Sequence, residues 1–153
     1  MSSLNNIYVG YVTSRPFGSF TMPVPAQNLC IRDFVNKNKG IYIPPQLEHK
    51  FENCLMQFYG TLNKLQYNYT LVMYSFDILY DFLYKCEDDL FLAFDFKKIK
   101  ISFVLENTTI SNSAELKIIK FNKSLSRYIM KDEYFLDVYN SYNVRLQFFA
   151  SDG

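Results

Sequence analysis

The chain has 153 residues, enough for one domain with a sizeable core, and its 16 Lys and Arg against 15 Asp and Glu leave a formal charge of +1. The cations are scattered, so the basic stripe or tail that marks a nucleic-acid surface is missing. No apolar run approaches the ~20 residues of a membrane span, and the amino terminus has neither the basic region nor the apolar core of a signal peptide, so a cytoplasmic protein is expected. Cys30, Cys54 and Cys86 have no C-x-x-C spacing, which points away from a disulfide framework and from a zinc site. No metal or other cofactor is called for. The 15 Phe and 13 Tyr read as a compositional bias rather than as an aromatic ligand platform.

The first strand is expected over residues 7–13, ending in the polar run Thr13-Ser14-Arg15-Pro16. A loop with Gly18, Pro23 and Pro25 leads to a helix over 27–39 that opens with Gln27-Asn28. Cys30, Ile31, Phe34 and Val35 form its apolar stripe, and Gly40 stands where a left-handed cap is wanted. Ile41-Tyr42-Ile43 is a short second strand stopped by Pro44-Pro45. After a loop carrying Glu48 and the lone His49, a second helix spans 52–65, with Leu55, Met56, Tyr59, Leu62 and Leu65 inward.

Residues 69–75 form a near-continuous apolar third strand, the pattern of a strand covered on both faces, and it ends in Ser75. Residues 76–85 read as loop or an irregular helical turn. A third helix is expected over 86–98, acidic in its first turn and basic in its last, in accord with the helix dipole, with a strand as the alternative because Leu90 to Phe96 alternate. A fourth strand covers 99–105 and ends in Glu106-Asn107. Ser111 or Ser113 caps a fourth helix running to about 130, its buried side drawn from Ala114, Leu116, Ile118, Ile119, Phe121, Leu125 and Ile129. Residues 134–149 alternate in places and read as an edge strand or hairpin that covers the sheet or pairs across a homodimer.

This succession implies a single three-layer, doubly wound α/β domain over residues 1–153, with a core of about 7–130 and a C-terminal extension over 131–153. The sheet is expected to be mainly parallel in the order 2-1-3-4, with its switch point between the first and third strands, where ligands bind in open α/β sheets. The polar tips would gather there. Arg15 and Arg32 are the anion anchors, because a guanidinium grips phosphate with two parallel hydrogen bonds; a surface salt bridge is the alternative for each. Ser14 and Ser75 would donate to phosphate or sugar hydroxyls, Gln27, Asn28 and Asn107 would read hydroxyls, and Asp33 would orient a neighbour. Glu106 and Glu48 are the candidate acid and base, a loop cap or helix-start carboxylate being the alternative for each, and Cys54 is a further catalytic candidate if its helix-start position lowers its pKa, with a small core residue as the alternative.

Several blocks carry a resemblance. Gly10, Tyr11, Ser14 and Arg15, then Gln27, Asn28, Leu29, Ile31, Arg32 and Asp33, followed by Glu48 six residues before Cys54, Tyr74-Ser75 and Leu105-Glu106-Asn107, together resemble the sporadic carbohydrate cluster family. These are small proteins encoded among bacterial surface-polysaccharide genes. The likeness covers about residues 8–130. The segment HKFEN between Glu48 and Cys54 departs from the small Pro-Gly character of that family, and the loop after Ser75 lacks its proline. The resemblance implies a role in capsule or O-antigen biosynthesis, as an enzyme acting on a sugar phosphate or nucleotide sugar or as a non-catalytic sugar-binding or assembly partner of one. A more distant resemblance, to the catalytic domain of serine recombinases, implies a shared layout alone, because the arginine cluster needed at a DNA phosphate is missing.

Overall fold

The computed structural model describes residues 6–17, 21–45 and 55–131. Glu48, His49, Cys54, the start expected for the second helix and the strand or hairpin expected over 134–149 lie outside them. The chain divides into two compact units, 1–116 and 117–153.

The first unit is built on a five-stranded sheet of β1 (Ile7–Tyr11), β2 (Ile41–Ile43), β3 (Thr70–Met73), β4 (Lys100–Phe103) and β5 (Thr108–Ile110). The strands lie in the order β2-β1-β3-β4-β5. The first four are parallel, with Val9 opposite Ile43 and Leu71, and Leu71 opposite Ile101. The expected order 2-1-3-4 is therefore present, and β3 is buried at all four positions, as its apolar run requires. β5 adds an antiparallel edge where the sequence suggested only a helix cap. Asn107, at φ 50°, supplies the left-handed residue that turns β4 back on itself, and its N–H donates to the Val104 carbonyl (3.1 Å).

Five helices connect or follow the strands: α1 (Val24–Lys37), α2 (Met56–Lys64), α3 (Phe76–Tyr80), α4 (Leu83–Lys97) and α5 (Ser113–Lys131). α1 begins three residues before its expected start because Pro25 falls in the first turn, where a missing N–H costs nothing. Gln27 and Asn28 thus stand inside the helix instead of opening it. At its other end the left-handed residue is Lys39 (φ 55°), not Gly40. The N–H groups of Lys39 and Gly40 return to the Asn36 and Val35 carbonyls (3.1 and 3.0 Å), which is the Schellman pattern. Gly40 is needed for room: a Cβ there would fall 2.2 Å from the Tyr8 ring.

Of the two readings of residues 76–85, loop or irregular helical turn, the second holds: they contain α3 and the first turn of α4. Glu87, Asp88 and Asp89 therefore lie beyond the first turn of α4, and the acidic helix start expected there is absent.

Side chains alternate across a strand, and the packing follows. Ile31 and Val35 of α1 cluster with Tyr8, Val12 and Val72. Tyr11, an odd step from Tyr8, meets Phe58 of α2 (ring centroids 5.4 Å) and Phe82 (6.2 Å) edge-on. Phe58 takes the inward place expected of Met56, which is exposed. Leu116 is fully buried, whereas Ile118, Phe121 and Leu125, expected on the buried side of the last helix, are exposed. Leu116 is the last residue of the first unit, and the other three belong to the second.

Candidate functional site

Past β1 the chain is fixed by Gln27. Its side chain is fully buried, and Nε2 donates to the carbonyls of Thr13 and Met22 (both 2.7 Å) while Oε1 accepts from the Thr13 N–H (3.3 Å). An amide has two N–H donors, and both are used. Gln27 is thus a latch between α1 and the strand tip, and the ligand-reading role expected for it does not fit.

Thr13 in turn holds Arg15. Its Oγ1 accepts from the Arg15 backbone N–H (3.2 Å) and from Nε (3.4 Å), and Nη2 reaches the Tyr11 hydroxyl at 3.5 Å. The guanidinium makes no ion pair among the described residues. Next to it in the chain, Ser14 Oγ is buried without a hydrogen-bond partner among the described residues, a costly state for a hydroxyl.

Arg15 opens on a cleft of about 190 Å³. The loop after β1 gives it Thr13, Arg15, Pro16 and Phe17, and the segment after β3 gives it Ile78, Asp81, Phe82, Tyr84 and Lys85. From β1 the chain goes to β2 on one side and later to β3 on the other, so the cleft stands at the topological switch point, outside the carboxyl ends of the strands. The location matches the expectation, but most of the residues do not. Of the expected site residues that are described, Arg15 alone lines this cleft.

Ser75 and Glu106 do meet, and for another purpose. Ser75 Oγ donates to Glu106 Oε1 (2.7 Å), and the Phe76 N–H is shared by both carboxylate oxygens (3.1 and 3.2 Å). Ser75 Oγ also accepts from the Asp77 N–H (3.1 Å) as the N-cap of α3. Glu106 and Ser75 together therefore close the start of α3 and tie the tip of β4 to that of β3. Asn107, next to them, is an exposed turn residue.

The remaining expected residues lie on α1. Asn28 Oδ1 accepts from the Tyr42 hydroxyl (2.5 Å), and the exposed Arg32 guanidinium stands 5.9 Å over the Tyr42 ring. Burial pushes the Tyr42 phenol up to about 12 against the opposing pull of Arg32. Asp33 pairs with Lys37 at 3.0 Å on the exposed face, one helical turn away. Sequence reasoning missed Lys85, Asp81 and Tyr84, although the helical spacing of Phe76, Leu79, Leu83 and Cys86, all buried, is a signal for helix over 76–85.

Among the described residues no helix is long and apolar enough to cross a membrane, and no group of three or more His, Cys, Asp or Glu is arranged to hold a metal ion. Comparison with known proteins gives no match to a family model, to a curated protein or to a solved structure.

Proposed function

We propose that the chain binds a sugar phosphate or nucleotide sugar at the switch-point cleft, in the service of surface-polysaccharide biosynthesis in the cytoplasm. The observation that carries this reading is Arg15: a guanidinium held by Thr13, without a carboxylate partner among the described residues, on the wall of a cleft where α/β sheets take their ligands. The carbohydrate side of the reading comes from the resemblance of the Gly10–Arg15 and Gln27–Asp33 blocks to the sporadic carbohydrate cluster family. The accompanying fold is a three-layer doubly wound domain, supported by α1 packing on Tyr8 and Val12 while α2 meets Tyr11.

Recognition is favoured over acid–base work by Glu106, whose oxygens both accept hydrogen bonds at the α3 cap. Turnover at the cleft would draw on Asp81, the carboxylate among its described lining residues. The test is a thermal-shift screen of sugar phosphates and nucleotide sugars. A ligand at one hundred times its Kd adds about 2.7 kcal/mol of apparent stability, and Arg15→Ala is expected to remove that gain. A screen in which no phosphate-bearing sugar raises the melting temperature overturns the reading.

A further inference from the structure

The make-up of the same cleft narrows its ligand, an inference that rests on the reading just given. The cleft's volume of about 190 Å³ lies below the ~300–1,000 Å³ typical of pockets for drug-sized molecules. A nucleotide sugar brings a base, a ribose, two phosphoryl groups and a hexose; a hexose monophosphate brings one ring and one phosphoryl group. Size therefore selects the smaller member of the pair.

The charges suit a phosphoryl group in either member. Lys85 joins Arg15 on the cleft wall. It stands in the first turn of α4, where the helix dipole favours an acid and disfavours a cation, and it makes no ion pair among the described residues. Asp88 and Asp89, three and four residues on in α4, are an intrahelical reason for a lysine there. An anion in the cleft would be a second: a phosphate monoester carries close to two negative charges at neutral pH, which Arg15 and Lys85 would draw in while Asp81 on the same wall offsets part of their charge.

The rest of the lining suits a sugar ring. A hexose presents an apolar C–H face and a rim of hydroxyl donors. Phe17 and Phe82 give the cleft a buried aromatic wall, and Tyr84, 73% exposed, stands at its mouth with Lys85 Nζ 5.6 Å from its ring centroid. Asp81 contributes a carboxylate, which accepts from neighbouring hydroxyls.

We propose that the cleft binds a hexose monophosphate, with the phosphoryl group between Arg15 and Lys85, ring hydroxyls on Asp81 and the ring's C–H face on Tyr84. Titration calorimetry on the full chain tests this with hexose 1- and 6-phosphates, inorganic phosphate, the free hexoses and UDP-hexoses. A hexose phosphate is expected to bind at least tenfold more tightly than any UDP-hexose. Lys85→Ala is expected to weaken both hexose phosphate and inorganic phosphate at least tenfold. Asp81→Asn is expected to weaken the hexose phosphate about tenfold while inorganic phosphate binds as well or better, with a wild-type far-ultraviolet circular dichroism spectrum showing that the variant is folded. UDP-hexoses binding as tightly as the monophosphates, and still depending on Arg15, would overturn this inference and leave the broader reading standing. Failure of every phosphate-bearing probe to bind overturns both. Equal losses for hexose phosphate and inorganic phosphate in Asp81→Asn remove the hydroxyl-reading role and with it the assignment of a sugar.

Discussion

The tip of β1 and the tips of β3 and β4 carry similar side chains and use them differently. At β3 and β4, Ser75, Glu106 and the Phe76 and Asp77 N–H groups satisfy one another at 2.7–3.2 Å. At β1, Arg15 lines the cleft with hydroxyl contacts at 3.4 and 3.5 Å where a carboxylate would serve better. A polar group whose bonding is complete inside the protein has its explanation in the fold. One that is held in place yet under-bonded is ready for something from outside. The same contrast runs along α1, where Gln27 is used up within the fold while Arg32 and Asp33 face solvent.

The largest effect expected from breaking this contrast is at Gln27. Gln27→Leu keeps the bulk but strands the Thr13 and Met22 carbonyls and the Thr13 N–H, so stability to urea should fall by roughly 2–4 kcal/mol. Thr13 also positions Arg15. Below the melting transition, Gln27→Leu should therefore weaken phosphate-ligand binding as well. A variant that loses stability but binds unchanged would show that the latch and the cleft are independent.

A smaller effect is expected at Glu106, where a cap and a catalytic acid or base part company. Glu106→Ala leaves the Ser75 hydroxyl and the Phe76 N–H without their acceptor and should cost about 1–3 kcal/mol. Glu106→Gln retains an acceptor oxygen, should cost about 1 kcal/mol or less, and should leave ligand affinity within twofold. If Glu106→Gln stays folded and binds ligand but abolishes a turnover that the wild type shows, Glu106 is catalytic and the contrast drawn at the strand tips fails.

Much of the frame was legible in the sequence because hydrophobic pattern governs it. The unbroken apolar run of β3 marks a central strand, and the alternation of strand and helix fixes parallel neighbours. What escaped was decided by single backbone conformations and by space. Asn107 at positive φ makes the β4–β5 turn, although Glu106-Asn107 reads equally well as a polar strand tip. Lys39, not Gly40, takes the left-handed cap, and the need for glycine comes from the Tyr8 ring, which lies 32 residues earlier in the chain. In the site, Arg15 was legible because a strand end in a parallel sheet points at the ligand edge. Ser75 and Glu106 were rightly expected to share the rim, but a capping role and a chemical role call for the same residue types. Asp81 and Lys85 were harder to place because the helical spacing of Phe76, Leu79, Leu83 and Cys86 runs through a break between α3 and α4.

The smallest expected effects sharpen the contrast on α1. Asp33→Asn removes an ion pair whose side chains are 61% and, at Lys37, 75% exposed. Such pairs contribute about 0–1 kcal/mol, and this variant should melt within a degree or two of the wild type. Arg32→Gln loses a cation over the Tyr42 ring, worth roughly 0.5–1 kcal/mol at an exposed site, and should leave phosphate-ligand affinity unchanged. Arg15 and Arg32 both belong to the blocks of the carbohydrate-family resemblance, so sequence likeness ranks them equally as anion anchors. The structure separates them: one lines the switch-point cleft, and the other stacks on a tyrosine whose hydroxyl is already bound to Asn28. A tenfold loss of affinity in Arg32→Gln would place the anion on α1 beside Tyr42, and the cleft at β1 would lose its claim.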